Sequence, residues 1–245
     1  MSIRRTHPGR PRLVPSNTAA PPREQVLHAA AQLFVTQGFA ATSTREIADK
    51  VGIRQASLYY HFTGKDEILG ELLERSVRPT VDRVEQIEQL TASESPETAL
   101  YALALLDVHT LAEAPDNIGT LATHPDVTSS EAFDAFRSIR AELAEAYGRM
   151  ASHLAAPGLA DPAEPRHLGE ILIHLVEVTT SLRSIGAAID GATADLIAST
   201  CLRACGIPDS RITPAASSAT TLVDRLREAS GDHAADDAVL RTPLR

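Results

Sequence analysis

Apolar residues recur at helical spacing along most of the chain. Residues 97–114, 130–155, 166–188 and 192–205 each carry an apolar stripe with a period of three to four. The first stripe lies between Pro22 and Gln37, stops at Gly38 and contains Val26, Leu27, Ala30, Leu33 and Phe34. Alternating β-branched runs, which would indicate strands, are missing from the sequence. The pattern predicts an all-α fold.

Residues 67–90 share one longer stripe, from Ile68 to Leu90, with Pro79 inside it. Proline removes one backbone hydrogen bond, so we expect a long helix that is kinked or split near Arg78. Beyond Pro208 the composition shifts to Ala, Ser, Thr and Asp. There the sequence predicts a loose tail over 208–245, apart from a short helix at Leu222–Ala229.

The stretch from Thr44 to Lys65 predicts two short helices around a tight turn. The first is expected over Arg45–Lys50 with Thr44 as its N-cap, and Gly52 ends it because glycine reaches positive φ without strain. The second is expected from Arg54 to about Phe62. A helix, a glycine turn and a helix with a polar outer face are typical of a helix-turn-helix unit that enters the DNA major groove.

The charge distribution changes the meaning of the overall charge of −9. Residues 1–65 contain nine Lys and Arg against three Asp and Glu, a balance of +6. The remaining residues contain 14 basic and 29 acidic side chains, a balance of −15. A basic head that faces phosphates and an acidic body are therefore expected.

Several classes of protein find no support in the sequence. It has no apolar run of about 18 residues, and its basic N-terminus lacks the apolar core of a secretory signal. Cys201 and Cys205 are expected to be reduced, buried thiols of a cytoplasmic protein. His109, His124 and His174 lack metal-ligand spacing, so no metal is expected. Nucleophile-elbow, phosphate-loop and paired-acid motifs are missing, and neither a cofactor nor an enzymatic role is expected.

Residues 1–22 are rich in Arg and Pro and are expected to form a flexible basic arm. Arg10 lies in a Gly-Arg-Pro core, flanked by Arg5 and Arg12, that resembles arms lying along an A·T-rich minor groove. A solvated tail that adds only non-specific phosphate attraction is the alternative.

Residues 29–69 (AAAQLFVTQGFAATSTREIADKVGIRQASLYYHFTGKDEIL) resemble the N-terminal DNA-binding domain of the TetR family of transcriptional regulators. The resemblance covers roughly residues 24–70 and rests on ordered positions: Leu33-Phe34, Gly38-Phe39, Thr44, Ile47-Ala48, Gly52, Leu58-Tyr59, Phe62 and Lys65. Arg54 and Ala56 stand where the family more often has a small capping residue and a glycine, so its base preferences transfer less directly. The resemblance implies a dimeric regulator with a helical ligand-binding body.

Nine residues are candidates for DNA contact. Gln55, Ser57, Tyr60 and His61 face outward in the predicted second helix, and Gln55 suits bidentate recognition of adenine. Thr44 and Lys65 are the expected phosphate anchors, each near a helix N-terminus. The full set is Thr44, Arg45, Arg54, Gln55, Ser57, Tyr59, Tyr60, His61 and Lys65. For any single one the alternative is a solvated polar side chain.

Two further sites are expected in the body. Asp107 and Glu177 interrupt apolar helices, and they either orient a ligand in a cavity or are solvated on a helix surface. The candidate effector pocket comprises Leu103, Asp107, Phe133, Phe136, Tyr147, Met150, His174 and Glu177. By the resemblance, the last two apolar helices form a dimer interface, with an ordinary intramolecular core as the alternative. Its candidates are Ile171, Leu175, Val178, Leu182, Ile185, Leu196 and Ile197.

Taken together, these features predict a basic arm (1–22), a helix-turn-helix domain (23–66), a helical effector-binding and dimerisation domain (67–207) and a tail (208–245). The expected function is ligand-responsive repression from a palindromic operator by a homodimer. Two alternatives stay open. One is a helical DNA-binding protein without an effector; the other is a helical small-molecule-binding protein or enzyme with an incidental helix-turn-helix.

Overall fold

The computed structural model describes residues 20–156 and 165–229, and within those ranges every regular element is a helix. This confirms the all-α prediction. The basic arm with Arg5, Arg10 and Arg12 lies outside the described residues, as does the end of the chain after Ala229. The α-helices are α1 (Pro22–Gln37), α2 (Thr44–Val51), α3 (Gln55–Leu58), α4 (Lys65–Arg75), α5 (Arg78–Val81), α6 (Val84–Leu90), α7 (Pro96–Glu113), α8 (Pro125–Thr128), α9 (Glu131–Ser152), α10 (Pro165–Ser184), α11 (Gly191–Ala204) and α12 (Asp209–Ala229), and a 3-10 segment (Pro115–Thr123) joins α7 to α8.

Helix α2 begins with a capping box, one residue earlier than expected. The Ser43 hydroxyl accepts from the Glu46 backbone N–H, while the Glu46 carboxylate accepts from the Ser43 N–H at 2.8 Å. This reciprocal pair satisfies two backbone donors that a helix N-terminus leaves free. The prediction that Thr44 is the N-cap is therefore wrong, and the Thr44 side chain is left for another contact.

Gly52 ends α2 in the left-handed region, at φ 76°. This confirms the glycine turn. Helix α3 is shorter than expected, since it ends at Leu58 rather than near Phe62. The chain continues as a turn in which the Phe62 N–H donates to the Leu58 carbonyl at 3.0 Å. Phe62 and Leu58 are both buried, and their burial fixes the outward face of the turn.

The stretch around Pro79 is broken twice. Helix α4 ends at Arg75, where the Ser76 hydroxyl donates to the Leu73 carbonyl, and α5 begins at Arg78 with Pro79 in its first turn. The split near Arg78 is confirmed. A second break separates α5 from α6. Helix α4 therefore ends close to the short helix α5, which packs on α7 and α9.

The body is built around α7, whose residues from Leu100 to Val108 are all buried. Helices α10, α11 and α12 pack on it. Helices α9 and α10 approach closely because glycines line their crossing. A Cβ added at Gly169 would lie 1.9 Å from the Ala144 carbonyl oxygen, and one added at Gly148 would lie 2.4 Å from the Pro165 carbonyl oxygen.

Residues 209–229 form a packed helix rather than a loose tail. Helix α12 buries Ile212, Ala219, Val223 and Leu226 against α7 and α11. The expectation of a loose tail from 208 is wrong over this range, because the apolar positions are widely spaced by Ala, Ser and Thr yet lie on one helical face. The short helix expected at Leu222–Ala229 is its last part.

Several polar contacts hold α1 and the α2–α3 unit against the rest of the molecule. Arg75 on α4 forms a bidentate pair with Glu24 on α1, at 2.7 and 2.9 Å. The Ala40 N–H donates to Asp126 at 2.9 Å, and His28 lies 3.1 Å from the Asp116 carboxylate. The exit of α4 and the 3-10 segment are thus both tied to the head.

Candidate DNA-binding surface and ligand cavity

The outer face of the helix-turn-helix presents a continuous set of exposed side chains. Arg54, Gln55, Ser57, Tyr59 and Tyr60 are all exposed, and Tyr60 is 86% exposed. The buried residues of the same segment, Ile47, Ala48, Leu58 and Phe62, belong to the hydrophobic core, and α2 packs on α1. Burial of one face therefore orients the other outward, as an element that enters a groove requires.

A hydrogen-bond network joins α2 to α3 on this outer face. The Gln55 amide donates to the Thr44 hydroxyl at 2.9 Å, and the Thr44 hydroxyl lies 3.1 Å from the Tyr59 hydroxyl. The network uses one of the two amide hydrogens of Gln55. The other hydrogen and the amide oxygen are the pair that a bidentate adenine contact needs.

Tyr60 and His61 form an edge-to-face pair, with ring centroids 5.3 Å apart. This contact favours one orientation of the exposed Tyr60 ring by a weak aromatic interaction. Arg45 is 80% exposed and lies 3.9 Å from Asp49, a weak surface contact that leaves its guanidinium accessible.

Lys65 has a different role from the phosphate anchor that its position suggests. Its ammonium donates to the carbonyls of Phe39, Ala40 and Thr42, at 2.9, 3.3 and 3.2 Å. It also lies 4.4 Å from the centre of the Phe39 ring. An ammonium has three hydrogens, and all three are engaged. In this structure Lys65 braces the loop before α2 and is not a free phosphate ligand.

An apolar stripe along α10 and α11 is left uncovered by the other residues that the structure describes. Ile171, Val178, Ile185 and Leu196 are between 41% and 79% exposed. Leu175 and Leu182 lie beside them and are partly buried. Ile197 is 6% exposed and belongs to the core, so its assignment to the interface is wrong. Ile171 and Val178 on α10 and Ile185, which directly follows that helix, recur every seven positions and lie along one stripe.

A cavity of about 490 Å³ lies between the end of α4, α7, the 3-10 segment, α9 and α10. Five of the eight expected pocket residues line it: Asp107, Phe133, Phe136, His174 and Glu177. Leu103, Tyr147 and Met150 do not line it and are buried in the core. Tyr147 still contacts the cavity wall indirectly, because its hydroxyl donates to Asp107 at 3.0 Å.

Asp107 is the buried acid at the inner wall of this cavity. It is 2% exposed and accepts hydrogen bonds from Tyr147 on one oxygen and from Thr80 on the other, at 3.0 and 3.2 Å. Burial raises its pKa to about 7, with a further contribution from the charge of Glu177, and outweighs the two hydrogen bonds that favour ionisation. Asp107 therefore titrates near neutral pH.

Arg140 is a cavity residue that the sequence patterns above leave unassigned. It donates to Glu177 at 2.6 and 3.0 Å and to Glu170 at 2.8 Å. Burial opposes its charge, but the bonds to Glu177 and Glu170 outweigh that effect and raise its pKa. A sequence signal existed, since Arg140 lies on the apolar stripe of α9, between Phe136 and Leu143 at spacings of four and three.

A larger groove of about 830 Å³ lies between α4, α7 and α12. Its wall consists mostly of charged side chains that already pair with each other. Arg75 bonds Glu71, Arg78 bonds Glu74, and Arg227 bonds Glu113. With most of its charges paired and few apolar side chains, this groove is a weaker candidate for an organic ligand than the smaller cavity.

Other candidate chemistry finds no geometric support among the described residues. Across residues 20–156 and 165–229, His, Cys, Asp and Glu side chains form no group of three that could hold a metal ion. In the same ranges, no helix is both long and apolar enough to cross a bilayer. Cys201 and Cys205 are buried free thiols, and burial raises their pKa values to about 12 and about 11.

Comparison with known proteins places these features in a wider context. A family model described as bacterial regulatory proteins, tetR family, matches residues 26–72, which hold the whole helix-turn-helix surface. The crystal structure of Mycobacterium smegmatis AmtR is 33% identical, with a TM-score of 0.74, and the match covers 86% of this chain and 98% of that one. A putative fatty acid metabolism regulator from Clostridium perfringens shares the fold at 20% identity and a TM-score of 0.60, covering 74% of this chain and 97% of that one.

Two curated relatives match about a third of the chain or less. The transcriptional repressor KstR2 of Mycolicibacterium smegmatis is 37% identical over 81 residues, which is 33% of this chain and 38% of the relative. The transcriptional activator FasR of the same organism is 39% identical over 69 residues, or 28% and 32% of the two chains. The chain thus spans under two fifths of the length of these relatives.

Proposed function

We propose that this chain, which belongs to the TetR family of bacterial regulatory proteins, is a DNA-binding transcriptional regulator that acts on a palindromic operator as a homodimer. The observation that carries the proposal is the exposed helix-turn-helix face, on which Gln55 and Tyr60 are held in place by neighbouring side chains. The basic residues of the head supply attraction to phosphates, although the chain as a whole is acidic.

A homodimer places two such faces side by side. The stripe formed by Ile171, Val178, Ile185 and Leu196 is the proposed interface, because a self-complementary apolar face on two helices buries itself against a symmetry-related copy as a four-helix bundle. Two recognition helices related by a two-fold axis require two inverted half-sites, and the operator is therefore palindromic.

The cavity is the proposed effector site, and Thr80 is the link between the cavity and the head. Asp107 on the cavity wall accepts from Thr80 on α5, and α5 follows α4 after a two-residue break. A ligand that shifts Asp107 shifts α5 and with it the exit of α4. The spacing of the two heads then differs between the ligand-bound and ligand-free states, and one of these states favours the spacing that binds the operator.

Repression is the proposed outcome, with release of the operator when the effector binds. KstR2 is named a repressor and FasR an activator, so a reporter assay decides between the two. A promoter carrying the operator should be expressed more strongly when the gene for this chain is deleted. Lower expression after deletion would make the chain an activator.

Operator binding tests the proposal directly. Double-stranded sites are selected from a random library with the wild-type protein, and affinity is then measured by fluorescence anisotropy at fixed salt. Gln55→Ala should weaken binding by roughly tenfold to a hundredfold per half-site, the value of a bidentate base contact. Gln89→Ala removes a glutamine from the exposed surface of α6 and serves as the matched control.

Two outcomes would contradict the assignment. Equal operator affinity of Gln55→Ala and wild type would remove Gln55 from base recognition. Selection of no sequence, or of sites without inverted symmetry, would contradict a dimeric reader. If the protein binds its operator but no compound alters that binding, the chain is a DNA-binding regulator without an effector.

A further inference from the structure

We propose that the cavity between α7, α9 and α10 takes an apolar ligand that carries one positive charge, such as a protonated amine or an amidinium, and that Asp107 is its partner. The inference rests on the proposed effector role of this cavity and adds the chemical class of the ligand. It follows from three properties of the wall: an apolar lining, a buried acid without a cation, and cations that are already neutralised.

The lining provides a site for an apolar body. Phe133 and Phe136 contribute tilted rings whose centroids lie 5.3 Å apart, and Leu111, Leu143 and Ile173 complete the wall. Aromatic and branched aliphatic side chains bind a hydrocarbon skeleton by removing it from water. A cavity of about 490 Å³ is within the range of organic ligands with one or two rings.

The acid on this wall lacks a cationic partner. Asp107 is 2% exposed, and its two bonded neighbours, Thr80 and Tyr147, are both neutral hydroxyls. Among the described residues, no Lys, Arg or His lies within ion-pair distance of Asp107. Each carboxylate oxygen accepts two hydrogen bonds at most and here accepts one, so both have capacity for a donor from a ligand.

The cations of the same wall are already neutralised. Arg140 is bonded to both Glu177 and Glu170, and Arg166 lies 3.9 Å from Glu170, so the two cations and two carboxylates of that cluster balance. Arg137 bonds Asp134 at 3.0 Å and lies over the Phe133 ring. An anionic ligand would therefore meet cations that are already paired, whereas a cation gains the attraction of Asp107.

The remaining groups around Asp107 do not supply the missing charge. Thr110 on α7 bonds Thr80, and Cys201 on α11 is held neutral because burial raises its pKa to about 12. The ring Nδ1 of His174 bonds the Glu170 carbonyl at 2.6 Å, which directs its other nitrogen towards Glu177, 3.9 Å away. The positive charge that would complement Asp107 has to come from the ligand.

Three probes of one shape and different charge test the proposal: 2-naphthylmethylamine, 2-naphthylmethanol and 2-naphthoate. Binding to the full-length chain is measured by isothermal titration calorimetry at about pH 8, above the pKa of Asp107. The amine should bind at least about tenfold more tightly than the alcohol, the factor of a charge-assisted hydrogen bond, and the carboxylate most weakly. An alcohol that binds as tightly as the amine, a preference for the carboxylate, or no binding of any probe would each overturn it.

The variant Asp107→Asn tests whether Asp107 causes the preference for the amine. The variant keeps the size of the side chain and should lose the preference for the amine while it binds the alcohol as before. Asp49→Asn, on the exposed face of α2, is the matched control and should keep the full preference. Retention of the amine preference in Asp107→Asn would refute the role of Asp107. Operator affinity of the wild type without any probe is measured in parallel, and its loss would count against the proposed function rather than against the ligand class.

Discussion

Replacement of Asp107 by Asn should change how the stability of this protein depends on pH. The carboxylate is buried beneath the cavity and is surrounded by neutral donors. Burial raises its pKa from 3.8 to about 7 in the folded chain. Between these two values the folded state holds a proton that the unfolded state releases, and folding is linked to proton uptake.

The difference between the folded and unfolded pKa values of Asp107 sets the sign and the size of the effect on stability. The stabilising contribution of proton uptake is fully present below the unfolded pKa of 3.8 and is lost as the pH rises through about 7. A shift of about three pKa units at 1.36 kcal/mol each gives about 4 kcal/mol. The free energy of unfolding of the wild type should thus fall by about 4 kcal/mol relative to that of Asp107→Asn as the pH rises across this window, because an amide does not titrate.

Urea unfolding followed by circular dichroism measures the effect at several pH values between about 4 and about 8.5. The informative quantity is the free energy of unfolding of the wild type minus that of Asp107→Asn. Other titrating groups, including His109, whose pKa is lowered by burial, are common to both proteins and cancel. A parallel comparison with Asp49→Asn should show little slope. A flat difference for Asp107→Asn would mean that the carboxylate stays ionised, and the reasoning from burial would be refuted.

The remaining predictions concern packing, coupling and assembly. Gly169→Ala should lower the free energy of unfolding in urea by about 3 kcal/mol or more, because its Cβ would meet the Ala144 carbonyl oxygen. Gly191→Ala, with open space at its Cβ, should be neutral or slightly stabilising. Equal effects of the two changes would contradict the close α9–α10 crossing. Thr80→Val should lower the free energy of unfolding by about 1–3 kcal/mol and weaken the effect of an amine probe on operator affinity. An unaltered effect of the probe on operator affinity would contradict the proposed link from Asp107 to α5. Ile185→Lys should yield monomers by multi-angle light scattering with unchanged helix content, and a persistent dimer would place the interface elsewhere.

Local chemistry made much of the molecule predictable. Proline at the start of α1 and glycine after its end set the limits of that helix at the positions expected. Gly52 set the turn between α2 and α3, and Pro79 set the break after α4, since each acts on its own backbone. The prediction from sequence was wrong where two neighbouring residues could both cap the helix. Ser43 rather than Thr44 became the N-cap because only Ser43 stands three residues before a glutamate.

The candidate sites show where local reasoning stops. The sequence identified Asp107 and Glu177 as unusual, because a charge on an apolar helix face needs a partner. It could not identify the partners, since Thr80, Tyr147 and Arg140 come from other helices. Lys65 is a similar case, because the three carbonyls that engage its ammonium are brought together only when the loop before α2 folds over α4.

The sequence by itself determined the helical class, the helix-turn-helix and the basic head, because spacing, capping and charge are properties of neighbouring residues. Tertiary structure decided which apolar faces became core, as for Ile197 and α12, and which stayed exposed on α10. It also decided that the buried Asp107 faces a cavity whose arginines are paired with other carboxylates. The physical reason is the same in each case: burial and pairing depend on which helices meet, and those contacts join residues that are far apart in the chain.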